Sequence, residues 1–278
     1  MQQVLKNVTI SKRLPAIMAL LVGVTVLVMG VANYYSTQSV IRAGASEKLQ
    51  SIGILKQKRI ENLLNDIDRD LRLQTLEPTT SQALIALADG YASLENAGEV
   101  LRRVYITDNE FPLGEKDQLV KADTGSSYGF IHAIYHPTFT RLKNEMQYYD
   151  IFLIDPDGNL VYSVYKENDF ATNLNEGAFK ESGLAQAFRG ALELPADGGS
   201  VFVDFQPYEP SAYAPAAFVA RPVFNEQDTL LGVLAYQMPV GLVNAAAGEL
   251  DGLGSTADGF IVGEDRLMRT DLAADRRE

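Results

Sequence analysis

Asp150-Ile-Phe-Leu-Ile-Asp155, Pro156-Asp-Gly-Asn159 and Leu160-Val-Tyr-Ser-Val-Tyr165 follow one another without a gap. Two runs of β-branched and aromatic residues flank a tetrapeptide whose Pro, Asp, Gly and Asn all favour turns. That is the local chemistry of a β-hairpin.

Downstream, helical spacing returns over Gly183–Leu192. Three more β-like runs follow at Ser200–Phe205, Ala217–Phe224 and Thr229–Gln237, punctuated by Gly198-Gly199 and by Asn225–Asp228. Upstream, Tyr128–Met146 has helical spacing, with Pro137 expected to kink or split it. Five strands in antiparallel order, with a helix between the second and third, predict an α+β module over residues 128–238.

Residues 77–127 read as a helical segment of the same body. Pro78 ends the preceding helix, Thr79-Thr80-Ser81 cap the next, and helices run over Gln82–Leu94 and Glu99–Ile106. Residues 36–76 hold no proline, and Ile60, Leu63, Leu64, Ile67 and Leu71 fall at helical spacing. They predict a long stalk helix that either pairs with a second copy in a homodimer or packs on its own domain.

Residues 14–41 carry no charge, and Leu14–Tyr35 is long enough to cross a bilayer. Lys6, Lys12 and Arg13 precede it with no acidic residue, so residues 1–13 are expected in the cytoplasm, with Tyr34 and Tyr35 at the far interface. A cleaved signal peptide is the alternative, with Ala43-Gly44-Ala45 as a weak cleavage site. A retained single N-terminal span in a bacterial inner membrane would place the remainder in the periplasm or outside the cell. After Gln237 come a short helix at Pro239–Leu250, Asp251-Gly-Leu-Gly254, and a hairpin of Phe260-Ile-Val and Arg266–Thr270. Residues 239–278 thus read as the start of a smaller, incomplete second module.

The chain holds 24 basic and 36 acidic residues, a net charge of −12, and three of the basic ones precede the apolar stretch. So acidic a body disfavours nucleic acid. With no cysteine there is no disulfide, thiolate metal site or cysteine nucleophile. GxxxxGK[ST] and HExxH are missing, and neither an enzyme nor a cofactor is expected. His132 and His136 stand at i, i+4, but no third metal ligand is placed. Asp155–Asn159 lacks the spacing of a calcium loop and reads as a turn.

Several stretches together resemble a known family. They are Tyr148–Asp155 with Gly158–Ser163, Lys166-Glu-Asn-Asp-Phe-Ala-Thr-Asn-Leu174, Val203-Asp-Phe-Gln-Pro-Tyr-Glu-Pro-Ser211, Phe218–Val223, Gly252-Leu-Gly254, Gly259–Asp265 and Leu267–Asp271. They resemble the extracytoplasmic double-Cache, PAS-like sensor region of bacterial methyl-accepting chemotaxis proteins. The resemblance implies a PAS/Cache-like five-stranded antiparallel sheet flanked by helices. It also implies reception of a small polar ligand, and signalling through a second span to a cytoplasmic helix bundle. The chain departs from that pattern in having no second span, HAMP-like linker or cytoplasmic coiled coil, so it is expected to be either a receptor fragment or a truncated chain that binds but cannot signal alone. Histidine kinases and nucleotide cyclases could use the same sensor, and an anchored interaction module is a further alternative.

Candidate ligand residues are Asp204, whose carboxylate could accept an ammonium, and the aromatics Tyr162, Tyr165, Tyr208, Tyr213 and Tyr236. Arg221 could pair a carboxylate bidentately. The plainer readings are a loop cap for Asp204, core or surface for the tyrosines, and a surface ion pair for Arg221. The ligand class stays open among amino acids, amines and organic acids.

Overall fold

The computed structural model describes residues 10–248 and 259–270, in two units that divide between Gln57 and Lys58. Helix α1 (Ile10–Leu76) begins in the first unit and ends in the second. Every residue from Leu14 to Tyr35 is exposed. An 18-residue window of the helix reaches a mean hydropathy of 2.5, and it is the one helix among the described residues long and apolar enough to cross a membrane.

The second unit is built on one antiparallel sheet. Its strands are β1 (Asp150–Ile154), β2 (Leu160–Ser163), β3 (Val201–Tyr208), β4 (Ala214–Phe224) and β5 (Leu230–Met238), in spatial order β2-β1-β5-β4-β3. Both faces are covered, which is why β1, β4 and β5 read as nearly continuous apolar runs rather than alternating ones. Alternation still sorts their side chains. Ile151, Leu153, Val219, Leu234 and Tyr236 face one core, while Phe152, Ile154, Phe218, Val233 and Ala235 face the other.

The first face packs against the last turns of α1, helix α2 (Pro78–Ala92) and helix α4 (Tyr128–Met146). From α1 come Ile67 and Leu71, and Asp70 accepts a 2.9 Å hydrogen bond from the Tyr148 hydroxyl. Helix α3 (Ala97–Arg102) continues as a π-turn over Arg103–Thr107 and adds Leu101 and Tyr105. Helix α5 (Gly183–Leu192) covers the second face with Leu184, Ala187, Phe188 and Ala191. Gly232 is where a side chain is forbidden: φ is +148°, and a Cβ would stand 2.3 Å from the Ile154 carbonyl oxygen.

Three expectations are corrected. Helix α2 begins at Pro78 itself, with no side-chain cap from Glu77; proline suits the first helical position, where its fixed φ is already helical and an N–H would have had no intrahelical partner. Thr79, Thr80 and Ser81 therefore lie inside the helix, and Ser81 Oγ donates back to the Pro78 carbonyl at 3.0 Å. Helix α4 runs unbroken through Pro137. β3 extends to Tyr208, which so belongs to the strand.

Helix α6 (Val240–Gly248) follows the sheet, and Val262 pairs with Met268 in a small hairpin. Leu250, Asp251–Gly254, Asp271 and Ala273–Glu278 lie outside the described residues.

Candidate ligand-binding site

Asp150 opens β1 directly opposite Gln237 of β5, which is opposite Phe218 of β4. All three share the face that α5 covers, yet two of them are polar and fully buried. Asp150 is 0% and Gln237 3% exposed. The segment after β2, residues 163–171, crosses this end of the sheet. Two left-handed residues, Lys166 (φ 57°) and Ala171 (φ 60°), shape it. Asp150 Oδ1 pins it by accepting backbone N–H groups of Ile151 at 2.7 Å, Val164 at 2.8 Å and Tyr165 at 3.1 Å.

The segment then delivers two more buried acids. Glu167 accepts the Tyr149 hydroxyl at 2.7 Å and the Ser211 hydroxyl at 2.5 Å. Gln237 Nε2 donates to Ser211 Oγ at 3.1 Å, closing a chain from the loop to β5. Asp169 Oδ2 accepts the Tyr208 hydroxyl at 2.5 Å. Three buried oxygens in this group have no partner: Asp150 Oδ2, Asp169 Oδ1 and Gln237 Oε1. A buried acceptor left unmatched costs about 1–3 kcal/mol, so three together mark a place where donors belong.

Burial governs the charges. It raises the Asp150 carboxyl far above its ordinary value, and the nearby Asp169 and Glu167 add to the effect. Burial lifts Asp169 to about 7 against the hydrogen bond from Tyr208. Glu167 is raised by burial, opposed by the bonds from Ser211 and Tyr149. Lys166, wholly buried, is lowered to about 7 by burial, with Asp150 opposing. Its ammonium donates to the carbonyls of Ser163 at 3.0 Å and Val164 at 3.1 Å, among the rings of Tyr105, Tyr162 and Phe170.

A pocket of about 290 Å³ opens beside this cluster. Tyr149, Ser211 and Gln237 supply its polar side, and Pro215, Met238 and Pro239 its apolar one. It lies at the lower end of the range for small-molecule sites. Of the three unpartnered oxygens only Gln237 Oε1 belongs to a residue that lines the pocket, and a compact group with several N–H donors would suit all three if it passed beyond Gln237. By entering, it would favour the ionised carboxylates that burial otherwise disfavours.

The expected ligand residues divide. Tyr208 is in the cluster. Tyr165 flanks it, stacked on Tyr149 with centroids 5.0 Å apart. Tyr162 lies on the opposite face, its hydroxyl 2.7 Å from His136 Nδ1. Tyr236 is on that face too, stacked on Tyr148 at 4.3 Å. Tyr213 is exposed. Asp204 caps the N–H of Phe205 at 2.8 Å and pairs with Arg269 at 2.8 Å. Arg221 lines a different pocket. The acids Asp150, Glu167 and Asp169, with Lys166, Ser211 and Gln237, escaped the sequence reading as ligand residues. The available signal was charge inside otherwise apolar strands and in Lys166-Glu-Asn-Asp169.

The histidines form a separate buried stack, ring centroids 4.5 Å apart. His136 Nε2 faces the Asp117 carbonyl at 2.6 Å and so carries the proton, leaving Nδ1 to accept from Tyr162. Burial lowers the His136 pKa to about 3 and holds His132 well below its usual value, so both are neutral.

No family model matches the chain, and no curated protein matches it. Among solved structures it is similar to the sensor domain of the V. cholerae histidine kinase DctB, at 14% identity and a TM-score of 0.38, over 76% of this chain and 67% of that one. It is similar to the ligand-binding domain of the Pseudomonas aeruginosa amino acid chemoreceptor PctC, solved with GABA, at 14% identity and a TM-score of 0.42, over 80% and 73%. It is also similar to that of the Campylobacter jejuni chemoreceptor Tlp3, solved with L-valine, at 8% identity and a TM-score of 0.37, over 81% and 76%. These are likenesses of fold to sensor domains of chemoreceptors and of a histidine kinase.

Proposed function

We propose that this chain is the sensor part of a membrane receptor, anchored by Leu14–Tyr35 with residues 36–278 outside the cytoplasm. It binds a small polar molecule at the Asp150–Gln237 end of the sheet, through Glu167, Asp169, Tyr208 and Ser211. The observation that carries this reading is the group of three unpartnered buried acceptors, one of which, on Gln237, belongs to the lining of an open pocket. An ammonium-bearing ligand fits them best. Chemotaxis is the output in keeping with the sequence resemblance.

Segment 163–171 offers a route for the signal. Glu167 and Asp169 bond to Ser211 and Tyr208. Phe170 packs in the other core with Tyr105 and Leu71. A ligand that draws the acids toward itself favours one arrangement of the segment, and the packing around the end of α1 follows. Its reach is set by the difference in affinity between the two arrangements.

The test is thermal denaturation of the full chain in detergent against amines, amino acids, organic acids and purines. At a hundredfold excess over Kd a ligand adds about 2.7 kcal/mol, roughly 5–10 °C for a domain of this size. One class raising Tm, with the rise lost in Asp169→Asn and Gln237→Ala, supports the site. A folded protein that no compound stabilises removes it in favour of an interaction module.

A further inference from the structure

On the opposite face of the sheet, the last turns of α1, the β4–β5 turn and residues 196–199 enclose a second pocket of about 500 Å³. Its floor holds Arg221. Alternation along β4 places this residue with Val219 and Val223, against α1, away from Phe218 and the cluster described above. Arg221 is only 6% exposed, and among the described residues its side chain makes no hydrogen bond or ion pair, its guanidinium nitrogens keeping contact only with the solvent of the pocket. Its guanidinium is deprived of water by burial, helped by Asp68 and opposed by a second cation, Arg72. Asp68 does not serve as its partner: Oδ1 accepts the Ser200 hydroxyl at 2.5 Å.

A buried cation without a partner is costly, and such groups are normally paired. Here a second arginine stands on the same pocket and adds repulsion, against the larger attraction of the half-buried Asp68. Two guanidinium groups, each a planar fork of donors, suit an anion with two oxygens that both can hold. Asp197 and Asp228 also line the pocket, but both are exposed, so solvent and salt screen them. We propose that this pocket is an oxyanion site, distinct from the cavity at Ser211 and Gln237, that takes a small carboxylate between Arg221 at its floor and Arg72 at its rim.

The experiment is calorimetric titration of the full chain in detergent with succinate and with inorganic phosphate at constant ionic strength. Sodium chloride serves as the blank. Saturable succinate binding is expected in the wild type. Each hydrogen bond to a charged group is worth about 1.5–3 kcal/mol, so Arg221→Gln should raise Kd tenfold or more. Arg72 is exposed on α1, so Arg72→Gln keeps the fold and should weaken binding in the same direction. Ser211→Ala, which disrupts the other site, should leave succinate binding unaltered. No saturable succinate binding in the millimolar range overturns the proposal. So does binding that both arginine variants retain, which would leave Arg221 a structural neighbour of Asp68 only. Tighter binding of phosphate than of succinate overturns the carboxylate assignment.

Discussion

Asp150 and Gln237 face each other across the β1–β5 ladder, and each keeps one buried oxygen, Oδ2 and Oε1, without a hydrogen-bond partner. Their other atoms are well used. Asp150 Oδ1 holds three backbone N–H groups, and Gln237 Nε2 reaches Ser211. The pair is therefore rigidly placed yet half satisfied, the condition in which a polar ligand gains most from entering.

Ser211 is the joint between that pair and the loop acids. Ser211→Ala removes the donor to Glu167 Oε2 and the acceptor of Gln237 Nε2 together. The free protein is expected to lose about 1–3 kcal/mol, read from urea unfolding with an unchanged slope. No loss would mean that water replaces the hydroxyl and that the chain is open to solvent.

The acids give a pH signature with a definite sign. Asp169 titrates near 7 when folded, above its ordinary 3.8. Between those values the folded state holds the proton that the unfolded state has released, so stability falls as pH rises from about 4 to about 7. Lys166 acts oppositely: lowered to about 7 from 10.5, it makes stability rise with pH across that interval. Stability of Asp169→Asn minus that of wild type should therefore grow from pH 4 to 7 and then level. For Lys166→Met the difference should be constant at its largest value below about pH 7 and shrink from there toward pH 10. Parallel profiles for wild type and variants would show that neither group is perturbed.

Gly232 tests the packing of the two layers. Gly232→Ala must fit a Cβ 2.3 Å from the Ile154 carbonyl and 2.9 Å from Leu84 Cδ2, in a backbone conformation that L-residues avoid. Strain of this kind costs on the order of 1–3 kcal/mol before any clash. The variant is expected to be largely unfolded at 37 °C by circular dichroism. A native-like melt would mean that β1 and β5 can separate locally without loss.

Much of the fold was legible because its signals are local. The Pro156–Asn159 turn fixes the β1–β2 hairpin, and the helical spacing near Tyr128–Met146 and Gly183–Leu192 falls on α4 and α5. The site was less legible because it depends on register between distant segments. Nothing near Asp150 in the sequence says that Gln237 stands opposite it, or that Tyr162 and Tyr208 occupy different faces. Nothing in Lys166-Glu-Asn-Asp169 itself says that three of its members are buried; they are, because the segment folds over the end of the sheet. Arg221 reads as a surface strand residue, and only the docking of α1 buries it.

Asp204 shows the same limit from the other side. Its carboxylate meets Arg269 at 2.8 Å, and Arg269 meets Asp265 at 2.8 Å, so the 259–270 hairpin is tied to β3. The Asp204 side chain is 45% exposed, and an ion pair this open contributes about 0–1 kcal/mol. Asp204→Ala should thus lower stability by less than about 1 kcal/mol, because Arg269 keeps Asp265. Limited proteolysis should cut faster within residues 259–270, where the variant has lost one of its ties. Affinity for a ligand bound at Ser211 and Gln237 should stay as in wild type, since Asp204 makes none of the cluster's hydrogen bonds. A Kd weakened severalfold with the melt unchanged would instead return Asp204 to the ligand and move the site toward β3.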